Sequence, residues 1–220
     1  MPDAIERALK AALSNGACCI GQIAISPLSG GGFTLCHRDD QPKPDDLRTS
    51  RNVQTAAEIA RFDDAGNYRP LKTAPNLRHG WRLDVVDLSE VRRALDYFYP
   101  ARLAVLAAWK ENRLATTPLR ATLGRQSGIY RAAAKISGGQ IDEVVGNFCR
   151  SDGGCLRTIL WRRDAAGTVP STKLPPEKFD PAHDQTGRGE AMVPLLCQEA
   201  CNLLVNECRK VVKGENAGDL

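Results

Sequence analysis

The chain has 220 residues and a formal net charge of +4, with 42% hydrophobic and 25% charged residues. This composition is typical of a globular protein long enough to bury a sizeable core, in one large domain or two small ones. The weak charge, without a dense run of Lys and Arg among aromatic residues, argues against nucleic-acid binding, and no segment approaches the roughly 18 apolar residues of a membrane span.

The first part of the chain is predicted to form a small α+β unit. Residues 3–13 have apolar side chains at helical spacing, which predicts an amphipathic helix. They include acidic residues and lack the continuous apolar segment of a secretory signal. We therefore expect a cytoplasmic protein. Strands and a short helix follow, at 18–25, 32–38 and 80–86 for the strands and 52–62 for the helix. The first domain is predicted to span residues 1–88.

The second domain, predicted to span residues 89–220, has mainly helical spacing of its apolar residues. Ser89 is expected to cap the first of its helices. The predicted helices lie at 89–99, 101–114, 117–136, 137–149 and 193–213, and a long loop lies at 164–190. The predicted fold class is thus α+β, with a small α+β unit followed by a mostly helical domain.

Four of the eight cysteines form two close pairs in the second domain. Cys149 and Cys155 flank a Gly-Gly turn, whereas Cys197 and Cys201 are expected on one helical face, about 6 Å apart along its axis. In a reducing compartment, clustered cysteines more often bind metal or perform redox chemistry than form disulfides. Four converging thiolates can hold a [4Fe–4S] cluster or a structural zinc ion, and the spacing favours the cluster only slightly.

The remaining cysteines are not expected to bind this metal centre. Cys208 shares the predicted helix face of Cys201 but lies about 10 Å further along the axis, so we assign it to core packing. The three cysteines of the first domain fall on predicted strands, where burial is favoured over ligation: Cys18, Cys19 and Cys36.

Other polar residues give weaker signals. Arg150 lies between Cys149 and Cys155, and Arg157 follows them. Both would stabilise an anionic cluster, although solvated surface arginines explain the same pattern. The histidines at 37, 79 and 183 are scattered in the sequence and form no convincing pair for metal insertion.

A family resemblance is carried by four segments: "RFDDAGNYRPLKTAPNLRHGW" (61–81), "TPLRATLGRQSGIYRAAAKIS" (117–137), "CRSDGGCLRTILW" (149–161) and "CQEACNLLV" (197–205). These segments resemble the accessory domains attached to CbiX-like, sirohydrochlorin cobaltochelatase-like proteins. The resemblance implies a small stabilising domain and a [4Fe–4S]-binding domain, with Cys149, Cys155, Cys197 and Cys201 as cluster ligands. The chelatase module itself is not recognisable here, so we expect any catalytic part on another chain.

Three functions follow from this sequence. The first is an iron–sulfur protein that acts as a redox or structural accessory to tetrapyrrole metal insertion, as in cobalamin biosynthesis, with a chelatase subunit or a redox partner. The second is a zinc-stabilised interaction module without redox function. The third is an enzyme that grips an anionic tetrapyrrole with the arginines of residues 113–131, which ordinary surface charge explains equally well.

Overall fold

The computed structural model describes residues 3–42, 46–62, 66, 68, 77–149, 158–164 and 193–214. Its contacts divide the chain into two compact units, of which the first comprises residues 1–112 and 181–195 and the second residues 113–180 and 196–220. The boundary predicted after residue 88 from the sequence thus lies within the first unit. The predicted loop at 164–190 lies outside the described residues, apart from Asp164.

A five-stranded sheet forms the centre of the first unit, with the strand order β1-β2-β3-β5-β4. Its strands are β1 (Cys18–Ile20), β2 (Ile23–Pro27), β3 (Phe33–His37), β4 (Arg48–Ser50) and β5 (Trp81–Val85). All neighbouring strands are antiparallel except β4 and β5. The single strand predicted at 18–25 is therefore a tight hairpin, because Gly21 and Gln22 turn the chain between β1 and β2.

The helices of the first unit bury one apolar side each. They are α1 (Ala4–Leu13), α2 (Thr55–Ile59), α3 (Leu88–Phe98) and α4 (Arg102–Lys110). Asp87, and not Ser89, caps α3, since its carboxylate accepts a hydrogen bond from the Glu90 N–H at 2.9 Å. The Phe98 ring stacks on Trp81 of β5 with 5.1 Å between the centroids, which joins helix to sheet. This unit confirms the α+β prediction.

The second unit is mainly helical. It contains α5 (Leu119–Gly124), a 3-10 helix (Gly128–Lys135), α6 (Gly138–Val144), a π turn (Val145–Cys149), β6 (Thr158–Ile159), β7 (Leu196–Cys197) and α7 (Asn202–Lys213). A full capping box between Ser137 and Gln140 starts α6. The parallel pair β6 and β7 packs with α6 and α7 around the wholly buried Trp161. Within the described residues, no helix is both long and apolar enough to cross a membrane.

The hairpin turn at Gly21 gives a test of this packing. We expect Gly21→Ala to destabilise the first unit by roughly 2–4 kcal/mol, because its φ of +58° is unfavourable for alanine and the new methyl group would overpack the site. The added Cβ would lie 2.6 Å from Tyr99 Oη, which already accepts the Gln22 N–H hydrogen bond at 2.7 Å. Urea unfolding followed by circular dichroism measures the loss.

Gly31→Ala is the matched control. Gly31 also has a positive φ, of +91°, but nothing lies within 4 Å of its added Cβ. This variant should therefore show only the backbone cost, about 1–2 kcal/mol. Equal losses of unfolding free energy in the two variants would show that the contact between the added methyl group and Tyr99 does not destabilise the first unit.

Candidate metal centre

One pocket of the second unit is lined by three of the four predicted ligands, Cys149, Cys197 and Cys201. Each comes from a different segment, because Cys149 ends the π turn after α6, Cys197 ends β7 and Cys201 is the N-cap of α7. The other lining residues are apolar, with Trp161 the largest: Ile159, Trp161, Ala200 and Leu204. The fold thus brings together thiols that are about fifty residues apart in the chain, 149 against 197 and 201.

Cys197 and Cys201 do not lie on one helical face, so the predicted helix at 193–213 is wrong in its first half. The chain before α7 is held as a strand, since Leu196 and Cys197 pair with Thr158 and Ile159. The Cys197 carbonyl also accepts the Leu160 N–H hydrogen bond at 2.9 Å. A short apolar run such as 193–197 fits a buried strand as well as a helix, and its strand partner decides between them.

The fourth predicted ligand, Cys155, lies outside the described residues, as do Arg150 and Arg157. Their roles at the metal centre stay predictions. The described part of the pocket thus contains three thiols, of which Cys149 is 7% exposed and the other two are partly exposed.

Two features of the pocket provide partial positive charge near its sulfur atoms. The Trp161 indole N–H donates a hydrogen bond to Cys197 Sγ at 3.4 Å. Cys201 has an extended backbone at the start of the 12-residue helix α7, whose first N–H groups carry partial positive charge. Both would stabilise negative charge on the ligands, as outer hydrogen bonds do around metal centres.

A zinc ion and an iron–sulfur cluster require different spacings of their sulfur ligands. Among the described residues, one group of three or more potential ligands has all its donor atoms within 4.8 Å of each other. That group is His37, Asp40 and His79, and it contains no cysteine. The sulfur atoms of Cys149, Cys197 and Cys201 therefore do not all lie within 4.8 Å of each other. A tetrahedral zinc ion with bonds of about 2.3 Å requires sulfurs about 3.8 Å apart. In a cubane, each thiolate binds a different iron, which requires a wider spread.

Cys208 is not a pocket residue. It is wholly buried in the core of the second unit, where burial raises the pKa of its thiol to about 12. This agrees with the packing role expected from its distance along the helix.

The cysteines of the first unit differ among themselves. Cys36 is buried on β3 and Cys18 is partly buried, and burial raises the pKa of each thiol to about 11. Cys19 is exposed, so the burial predicted for it is wrong. The alternation of side chains along β1 explains the difference, because neighbouring residues of a strand point to opposite faces.

Two of the histidines are not scattered in the structure. His37 ends β3 and His79 precedes β5, and the antiparallel pairing of these strands brings the two rings to 3.9 Å between centroids. Asp40 lies beside them, with its Oδ1 3.2 Å from His79 Nδ1. This group was not predicted from the sequence, because His79 lies about forty positions after the other two residues and no hairpin signal links their strands. His183 lies outside the described residues.

Comparison with known families covers both units. Residues 5–113 match the DR2241 stabilising domain, and residues 111–210 match a 4Fe–4S iron–sulfur cluster binding domain. The two matches follow one another along the chain and together cover residues 5–210. The cluster-binding domain contains all three thiols of the pocket, and the stabilising domain contains the histidine pair. The resemblance to chelatase-associated accessory domains is thereby confirmed.

One solved structure is similar to nearly the whole chain. DR2241 from Deinococcus radiodurans is similar to the chain with a TM-score of 0.68 and 28% sequence identity, over 97% of this chain and 43% of that one. That protein is described as a multi-domain protein with structural similarity to chelatases and two additional novel domains. The chain thus spans less than half the length of this relative. No relative with a curated description matches the chain.

Proposed function

We propose that the chain binds its [4Fe–4S] cluster through Cys149, Cys155, Cys197 and Cys201 and acts as a cytoplasmic accessory of tetrapyrrole metal insertion. The observation that carries the ligand assignment is the pocket that three of these cysteines line. Cys155 follows Cys149 by only six residues, so the intervening "RSDGG" can return the fourth thiol to the same pocket.

The cysteine positions imply that the cluster stabilises the fold of its domain. Cys149, Cys197 and Cys201 belong to three segments, the π turn, β7 and the start of α7. Ligation would cross-link these segments, and the free energy of binding then contributes to the free energy of folding. The structural part of the proposed role rests on this arrangement.

The surroundings of the thiols support a redox role as well. When bound, a [4Fe–4S] cluster supplies one-electron transfer, at a potential set by hydrogen bonds to sulfur and by solvent exposure. Trp161 donates such a hydrogen bond to Cys197, and Cys197 and Cys201 are both partly exposed. Trp161 is therefore assigned to tuning the potential.

The Trp161→Phe variant tests this assignment. Phenylalanine keeps most of the buried ring but removes the N–H donor, so the more negative reduced state loses about 1 kcal/mol of stabilisation. We expect the reduction potential to fall by roughly 40 mV while iron content stays unchanged. Redox titration followed by electron paramagnetic resonance measures the shift.

Trp109→Phe provides the matched control. Trp109 lies on α4 in the first unit and does not line the cysteine pocket. Its substitution should leave the potential unchanged. If Trp161→Phe also leaves it unchanged, the N–H donor does not tune the metal centre.

The accessory role rests on the relatives of the chain. The similar Deinococcus protein joins a chelatase-like part to additional domains, and this chain corresponds to 43% of its length. We therefore propose that the two domains work beside a chelatase module that inserts cobalt into sirohydrochlorin.

Reconstitution with a CbiX-like chelatase tests the accessory role. We expect the cluster-loaded chain to co-elute with the chelatase in gel filtration and to raise the rate of cobalt insertion, followed by the absorption of the tetrapyrrole. The Cys201→Ser variant should not raise the rate. Absence of both co-elution and a rate change would refute the accessory role, whereas the cluster itself is tested separately by its iron content.

A further inference from the structure

The end of β3 and the start of β5 in the first unit bring together three metal-binding side chains. His37, Asp40 and His79 each offer a donor atom, and these atoms all lie within 4.8 Å of one another. We propose that His37, Asp40 and His79 bind one divalent transition-metal ion of the zinc type. This site is separate from the cysteine pocket, and the proposal does not depend on the cluster.

The distances already approach those of a metal site. His79 Nδ1 lies 3.2 Å from Asp40 Oδ1. Nitrogen and oxygen ligands of a tetrahedral zinc ion, at about 2.0–2.2 Å from the metal, lie about 3.4 Å from each other. One ion can thus contact both side chains with only small movements. Asp40 is held in place by the Gly80 N–H, which donates a hydrogen bond to Oδ2 at 2.8 Å.

His37 has a buried ring nitrogen whose environment points to a bound ion. Its side chain is 2% exposed, and its Nε2 is buried without a hydrogen-bond partner. A buried polar atom of this kind costs about 1–3 kcal/mol unless a partner satisfies it. A bound ion would be that partner. The His79 ring is its close neighbour, with 3.9 Å between the two ring centroids.

The other side of the His37 ring suits metal binding as well. The Asp39 N–H donates a hydrogen bond to Nδ1 at 3.2 Å, and the Asp39 carboxylate lies 3.7 Å from the same atom. When a metal takes Nε2, the ring proton moves to Nδ1, which then gives up the hydrogen bond from the Asp39 N–H and can donate to the Asp39 carboxylate. Metal-binding histidines commonly donate this second N–H to a carboxylate.

Charge and access complete the site. Burial lowers the pKa of His37, and the neighbouring His79 lowers it further. His79 is exposed, which leaves an entry path for the ion. Two imidazoles and one carboxylate suit zinc and related first-row metals, and three protein ligands leave a position for solvent.

Zinc binding by the whole cluster-loaded chain tests the proposal. After anaerobic equilibration with Zn²⁺, iron and zinc are counted together by mass spectrometry. We expect one zinc ion per chain with no loss of iron. The His79→Ala variant should bind it at least about tenfold more weakly, since loss of even an outer contact costs that much. His183→Ala, which removes the remaining histidine, should bind zinc normally.

Extended X-ray absorption fine structure measured at the zinc edge identifies the ligands. We expect nitrogen and oxygen neighbours at about 2.0–2.1 Å, whereas cysteine ligation gives sulfur at about 2.3 Å. Four results would overturn the proposal: no zinc bound, zinc gained as iron is lost, a sulfur shell, or equal affinity in wild type and His79→Ala. Because iron and zinc are counted separately, failure of the histidine site is distinct from failure of the cluster.

Discussion

The Cys201→Ser variant is expected to lose the visible absorption of the cluster, a broad band near about 400 nm. Serine removes the sulfur at the start of α7, which is one of the four proposed ligands, and a hydroxyl is a poor substitute for a thiolate on iron. Serine is also a favoured N-cap residue, so α7 should still begin at Asn202. The variant therefore tests ligation and not helix formation. Absorption and iron content after anaerobic reconstitution measure the loss.

Cys208→Ala is the control on the same helix. Cys208 is wholly buried and does not line the pocket, so its replacement should cost about 1 kcal/mol of packing and leave the absorption intact. An equal loss of absorption in the two variants would show that the ligand set is wrong.

Removal of iron is expected to lower the unfolding temperature of the second unit by about 15–20 °C. The ligands join the end of the π turn, β7 and the start of α7, and the binding free energy stabilises only the folded arrangement of these segments. An effect of about 3–4 kcal/mol produces a shift of this size in a domain of about one hundred residues. Differential scanning calorimetry of the iron-loaded and iron-free chain measures it.

The first unit serves as the internal control in this experiment. It contains none of the four proposed ligands among its residues 1–112 and 181–195. Its transition should therefore stay at the same temperature after iron removal. Identical thermograms for the two forms would mean that the cluster does not contribute to folding, and a common shift of both transitions would place its effect outside the second unit.

The elements with strong local signals were predicted well from the sequence. Residues 3–13 combine apolar spacing with a capping aspartate, and α1 forms at Ala4–Leu13 with the Asp3 carboxylate accepting the Ile5 and Glu6 N–H bonds. The strands around 33–37 and 81–85 were likewise recognised from alternating and β-branched residues. In these segments, local preference and tertiary packing favour the same structure.

Features that depend on distant partners were predicted less well. The segment before α7 is a strand because β6 pairs with it, and its apolar residues alone do not distinguish strand from helix. The pairing of β3 with β5, which brings His37 beside His79, links residues about forty positions apart without a hairpin. For the cysteines, residue type and spacing predicted a shared site, and Cys149, Cys197 and Cys201 line one pocket, although their role as ligands stays a prediction.

Iron and sulfide analysis of the anaerobically purified chain tests the central claim most directly, with zinc measured in the same sample. The proposed ligand set predicts a brown protein with about four irons and four sulfides per chain in the wild type, and neither in Cys201→Ser. A colourless wild-type protein, with zinc in the cysteine pocket and no sulfide, would contradict it.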